Sequence, residues 1–252
     1  MNTLKQKVGE LNLKYKNLKA EEIIKEAYQI FGARVNFASS LGEEDQVITD
    51  MIAKVAPKIE IFTLDTGRLF QETYELIAKT QKRYPIMFKI YYPDTKSVEV
   101  MVHTKGINLF YESIENRKLC CGIRKVEPLQ RALKDVDAWI SGIRRDQAVT
   151  RGTVETFEWD ENNQKIKINP LAYWTLDQVH KYIKEHNVDV NPLHAKGFIS
   201  IGCASCTRAV KPGEDIRAGR WWWESPEQKE CGLHNNPNRK NMGQGSRVKD
   251  QG

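Results

Sequence analysis

The chain has 252 residues, 40% of them apolar and 29% charged, an ordinary soluble composition with length enough for a sizeable core. No run approaches the roughly 18 apolar residues of a membrane helix, and the start Met1-Asn2-Thr3-Leu4-Lys5-Gln6-Lys7 lacks a signal-peptide apolar stretch. A cytoplasmic location is therefore expected, where thiols stay reduced. Of the net charge of +6, a surplus of four falls from Lys196 onward, where ten Lys and Arg face six Asp and Glu. That surplus suits an anionic partner or a plain basic surface. No zinc-finger spacing or RNP-type motif accompanies it, so nucleic acid is not expected.

Taken in order, residues 2–16 and 19–32 carry apolar positions at helical spacing, and Gly32 ends the second helix. Arg34 to Ala38 is a short β-rich run. The loop Ser39-Ser40-Leu41-Gly42-Glu43-Glu44-Asp45 leads into a helix through Val47, Ile48, Met51 and Ile52, with Ser40 and Glu43 spaced as a capping box. A strand at 59–64, a turn at Asp65-Thr66-Gly67, and a helix from Leu69 to Lys82 repeat the pattern. A third strand spans 86–92, and a helix runs from about Lys96 to Lys105. A turn is expected at Cys120-Cys121, a helix over 126–133 and a fourth strand at 138–142. A hairpin over 157–169 and a capped helix from Thr175 to Glu185 follow.

Strands alternating with helices predict an α/β fold, a Rossmann-like parallel sheet with helices on both faces. Ligands of such sheets sit at the C-terminal strand ends. The stretches at 39–45, 65–68 and 141–151 all follow strands and should share that rim. The organisation expected is one α/β domain over 1–228 and a mobile C-terminal arm over 229–252.

Four of the five cysteines form two close pairs, Cys120-Cys121 and Cys203-Ala204-Ser205-Cys206. Brought together they could ligate zinc, hold an iron–sulfur cluster, or remain bare thiols; the second pair could also be a redox pair. Directly adjacent cysteines fit zinc spacing poorly and favour a cluster. The loop holding Gly142, Arg144, Arg145, Gln147 and Arg151 reads as an anion clamp or a salt-bridged turn. Arg217 and Arg220 flank a tryptophan run. In the 39–45 loop, three acidic residues stand where an anion would sit, so capping or nucleoside contacts compete with phosphate binding. Cys231 is the odd cysteine. Lys229 and His234 could lower its pKa and make it nucleophilic, or it could be idle on the tail.

These residues in combination resemble the assimilatory sulfonucleotide reductases: Cys-Cys with a later Cys-x-x-Cys, Leu64-Asp65-Thr66-Gly67-Arg68, Gly142-Ile143-Arg144-Arg145-Asp146-Gln147, and Glu230-Cys231-Gly232-Leu233-His234. The resemblance spans about residues 34–234 and is nearest to the iron–sulfur bacterial adenylyl-sulfate reductases. It implies an adenine nucleotide α-hydrolase-like fold with a modified PP-loop, and a [4Fe–4S] cluster on Cys120, Cys121, Cys203 and Cys206. It implies substrate contacts at Ser39, Ser40, Gly42, Asp65, Thr66, Gly67, Arg68, Lys125, Gly142, Arg144, Arg145, Gln147, Arg151, Arg217, Arg220 and His234. Cys231 is then the nucleophile that attacks adenosine 5′-phosphosulfate (APS) and expels AMP. Thioredoxin or glutaredoxin would be the external electron donor. The 3′-phosphorylated substrate (PAPS) remains the alternative. An ATP-adenylating PP-loop enzyme fits less well, because Ser39–Asp45 departs from a Ser-Gly-Gly-x-Asp-Ser loop. A homo-oligomer is left open.

Overall fold

The computed structural model describes residues 3–147, 151–215 and 217–225. Its strands are β1 (Val35–Ala38), β2 (Glu60–Leu64), β3 (Phe88–Tyr91), β4 (Ala138–Ile140), β5 (Phe157–Asp160) and β6 (Lys165–Ile168), and among the described residues they form one sheet in the order β3-β2-β1-β4-β6-β5. All neighbours are parallel except the β5–β6 hairpin. The period-two alternation of strand side chains divides the core. Val35, Phe37, Ile61, Ala138 and Ile140 enter the cluster on one face, whereas Phe62 and Trp139 enter the cluster on the other.

The first face is covered by α1 (Thr3–Lys14), α2 (Ala20–Phe31), α3 (Glu43–Val55) and α8 (Leu176–His186). Helix α4 (Gln71–Arg83) packs Leu76 and Ile77 against Leu41, Phe88 and Ile90. Leu129 and Ala132 of α7 (Glu127–Ala132) cover the second face. Helix α5 (Thr95–Lys105) joins it to β3 by way of α6 (Ile114–Cys121). Both faces of the parallel strands are thus removed from water, as such sheets require. No helix among the described residues is long and apolar enough to cross a membrane.

Two local expectations are corrected. Cys120 and Cys121 are not in a turn: they close α6, which Ser113 caps by accepting the Asn116 N–H at 3.1 Å, and the chain continues through a wide π-type turn (Gly122–Val126) into α7. Ser40 and Glu43 form no capping box. Gly42 precedes α3, and the Ser40 hydroxyl and N–H both donate to Asp45 Oδ2, at 2.6 Å each.

Helix α3 is buried on nearly every side, so its polar side chains need partners. Asp50 accepts from Tyr84 (3.0 Å) and Tyr182 (2.8 Å) and pairs with Lys54 at 2.5 Å, tying α3 to the end of α4 and to α8. Burial pushes its carboxyl up, but Lys54 and the two hydroxyls outweigh this and hold it below the ordinary 3.8. A depressed carboxylate stabilises the fold above its unfolded pKa and loses that contribution as pH falls through the folded value. Asp50→Asn is expected to cost about 2 kcal/mol in urea unfolding at pH 7, from weakened charge-assisted bonds. Because the wild type forfeits the same contribution in acid, the difference should shrink below about pH 4, with the titration matched to model carboxylates.

Candidate active site

The strand order reverses between β1 and β4, since β2 and β3 lie on one side and β6 and β5 on the other. In parallel sheets such a switch point, at the C-terminal ends of the strands, is where ligands bind. Ser39 leaves β1 with its N–H donated to Phe62 O at 2.8 Å, and its hydroxyl accepts the Leu41 N–H at 3.2 Å. On the other side of the switch point, Ser141 and Gly142 leave β4. Asp45 lies between the two loops, so close to Gly142 that any Cβ there would overlap its Oδ1.

Next to it, the turn after β2 is built by its own residues. Gly67 takes φ 68°, the left-handed conformation glycine adopts at no steric cost. Asp65 accepts the Gly67 N–H at 2.7 Å and the Tyr74 hydroxyl at 3.0 Å. The hydroxyl pKa of Tyr74 is raised to about 12, by burial first and then by Asp65. The outer side of this turn meets the cysteines: Thr66 Oγ1 lies 3.2 Å from Cys203 Sγ, and Arg68 O accepts the Ala204 N–H at 2.7 Å.

Chain segments about eighty residues apart thus bring the four paired cysteines to one cavity. Cys120, Cys203 and Cys206 are buried, Cys121 is half-buried, and all four are free thiols. Arg68, Arg117, Arg124 and Lys125 line the same cavity. Burial pushes the Cys206 thiol up to about 11, with Cys203 adding to it and Ser205, Arg220 and Lys125 opposing. Cys120 is likewise raised by burial, against the pull of Arg124 and Arg68. Both shifts favour the protonated form, so a metal would have to displace protons from Cys120 and Cys206 to bind.

The donor set limits what the cavity could hold. Among the described residues, no three Cys, His, Asp or Glu side chains are gathered closely enough for a single metal ion. Buried Arg124 Nε, Arg220 Nε and Trp221 Nε1 lack an acceptor among the described residues. Trp221 packs with the cysteines in one apolar cluster, under the Arg117 and Arg220 guanidinium groups at 4.8 and 4.7 Å. Unsatisfied donors around four thiols suit an electron-rich sulfur-bearing group. Four thiols from two segments, beside these donors, form a donor set that an iron–sulfur cluster could use.

The loop after β4 is less open than its arginines suggest. Arg144 is buried and bound to Glu44 at 2.9 Å, with Trp174 O at 3.3 Å. Arg145 is held by Glu155 (2.5 Å), Val154 O (2.6 Å) and Tyr173, over whose ring it stacks at 4.1 Å. Gln147 receives the Arg144 N–H and Arg151 Nη1. An anion here must compete with carboxylates already in place. Arg220 is buried with Nη1 3.3 Å from Ser200 Oγ, and the Arg217 N–H donates to Asp215. Lys229, Cys231 and His234 lie outside the described residues, as does the 229–252 arm.

Sequence reading passed over Arg117, Arg124 and Glu224, and took Asp45 only as one of three acidic residues in its loop. Arg124 stands four residues after Cys120, the spacing of one helical face, a signal hidden once a turn was expected there. A wider groove beside β3, lined by Tyr91, Tyr92, Asp94 and Arg131, contains none of the expected site residues.

With this geometry in hand, comparison places the chain. The phosphoadenosine phosphosulfate reductase domain family matches residues 34–209. The chain belongs to that family. An adenosine 5′-phosphosulfate reductase from Burkholderia cepacia is 53% identical over 201 residues, covering 80% of each chain. One from Neisseria meningitidis is 47% identical over 219 residues, 86% of this chain and 90% of that one. Among solved structures, the phosphoadenylyl-sulfate (PAPS) reductase from Candida auris superposes with a TM-score of 0.71 at 31% identity, covering 83% of this chain and 99% of that one. The FMN adenylyltransferase of Candida glabrata shares the fold alone, with a TM-score of 0.53 at 14% identity, covering 95% and 91%.

Proposed function

We propose that this member of the family is an adenosine 5′-phosphosulfate reductase, reducing APS to sulfite and AMP in the cytoplasm as part of sulfate assimilation. The observation carrying this reading is the gathering of Cys120, Cys121, Cys203 and Cys206 around one cation-lined cavity beside the turn after β2. Relatives named for APS reduction, at about half identity, support the choice of APS over PAPS.

The adenylyl group sits at the β1–β4 switch point and the phosphosulfate points toward Lys125, Arg217 and Arg220. Cys231 thiolate attacks the sulfur; the S–O bond to AMP breaks, and AMP leaves with the electron pair. Cys231 is left as S-sulfocysteine, a covalent intermediate that splits the reaction in two. A thiolate of external thioredoxin or glutaredoxin then attacks Cys231 Sγ and sulfite departs. The donor's second thiol resolves the mixed disulfide, so the dithiol supplies both electrons. Thiolate and substrate are both anions, and the surrounding cations lower that repulsion. A [4Fe–4S] cluster held by the four cysteines would brace the two cysteine segments and contribute to the local field without cycling electrons.

The test is anaerobic purification with iron and acid-labile sulfide assays beside turnover of APS and PAPS. About four irons per chain and faster turnover of APS are expected. Cys203→Ala should retain less than half of that iron and lose sulfite formation; full iron retention in that variant would contradict the ligand set.

A further inference from the structure

Asp45 is used neither by the thiol chemistry nor by helix capping, yet it occupies the switch point itself. It is buried at 7% exposure in the first turn of α3. Oδ2 accepts two bonds from Ser40, and the other carboxylate oxygen lies against Gly142 at the end of β4. Its Oδ1 fills the space a side chain at 142 would need. Between Ser40 and the helix, buried Leu41 is held at φ 62°, a conformation that L residues rarely adopt. The carboxylate therefore stands between the end of β1, from which it accepts two bonds, and the end of β4, against which it packs at Gly142.

The charge at this position opposes folding. Burial raises the Asp45 carboxyl to about 6, Ser40 and Gly142 pull it back, and the adjoining Glu44 adds to the rise. The other charges facing this corner are already paired: Glu44 with Arg144 of the β4 loop, and Glu43 with His180 of α8 at 3.3 Å. A carboxylate whose folded pKa lies above its ordinary value destabilises the fold as pH rises from that ordinary value through the folded one. Groups held ionised against such an opposing term concentrate at functional sites.

We infer that Asp45 is a positioning residue, whose carboxylate locks the 39–45 and 141–147 loops at the separation that receives the adenylyl group, with glycine required at 142 to admit it. The inference rests on the proposed seating of that group at the β1–β4 switch point.

The test uses the full-length, anaerobically purified protein. Asp45→Ala and Gly142→Ala should each raise KM for APS and the Kd for AMP by about tenfold, with kcat changed less than about threefold. The double variant should be no worse than either single, because truncating the side chain at position 45 makes room for the new Cβ. In the wild type, KM for APS should rise as pH falls through about 6. Asp45→Asn should bind more weakly at pH 8, show no such rise, and melt no lower than the wild type, which a purely structural role would not produce. Additive penalties, an unchanged KM, or an affinity loss tracking the melting temperature would overturn the inference. If Asp45→Ala does not fold, the Asp45→Asn pH profile decides alone. Photolabelling with 8-azido-AMP separates the two layers. Label within 39–45 or 141–147 with additive penalties removes only the role of Asp45. Label elsewhere removes the seating and the inference together.

Discussion

Cys231→Ser is expected to reduce sulfite formation from APS by about 10⁴-fold or more while leaving iron content at the wild-type value. A serine hydroxyl is scarcely ionised near neutrality and is a poor nucleophile toward sulfur without an activating base, whereas a thiol is partly ionised there. Three of the other four cysteines are poor substitutes. Cys120 and Cys206 are buried with their thiols pushed up, and Cys203 is buried against Thr66. Mixing wild-type enzyme with APS in the absence of a dithiol should leave a sulfonate on the peptide holding Cys231, seen by mass spectrometry. The variant should show none. Iron retention with loss of both adduct and turnover assigns the nucleophile apart from the cysteine cage; substantial sulfite release by the variant would end the assignment.

The sheet was legible because its strands announce themselves locally. Phe37, Ile61 and Trp139 belong to short β-rich runs ending in polar loops, and those loops converge because parallel strands place their C-terminal ends on one rim. The pairing of Cys120-Cys121 with Cys203 and Cys206 was legible as a question but not as a geometry, since segments so far apart in sequence meet only through packing. Helix α6 was missed because its apolar content is low and its end runs into a π-type turn, which breaks the 3.6-residue period. That Arg144 and Arg145 sit in a salt-bridged turn was one of two readings, and their partners, Glu44 and Glu155, could not be picked out because they lie in other elements or beyond the next turn. Asp45 was hidden by a rule that usually holds. Acidic residues in a first turn complement the helix dipole, so nothing local separates Glu43, paired with His180, from Asp45, buried against Gly142.

Arg117→Ala is expected to be the most destabilising single change, costing about 3–5 kcal/mol. The Arg117 and Glu224 side chains are each 2% exposed and meet in a two-pronged pair, Nε to Oε1 at 2.8 Å and Nη2 to Oε2 at 2.7 Å. Arg117 stands on α6 three residues before Cys120, and Glu224 three residues after Trp221 and seven before Cys231. The pair therefore fastens one cysteine segment to the other and fixes the chain just ahead of the proposed nucleophile. Deleting the guanidinium strands a carboxylate in an apolar surround beside Trp221, where its desolvation is no longer compensated. For a domain of this size that corresponds to a fall in melting temperature of roughly 6–20 °C, with loss of iron in parallel as the two segments separate. The paired replacement Arg117→Met with Glu224→Leu removes both charges together and should regain most of the lost stability. If the single and double variants melt alike, the penalty comes from lost packing on Trp221 and not from a stranded charge. If the single costs less than about 1 kcal/mol, a value typical of exposed pairs, the pair does not join the two halves of the cage.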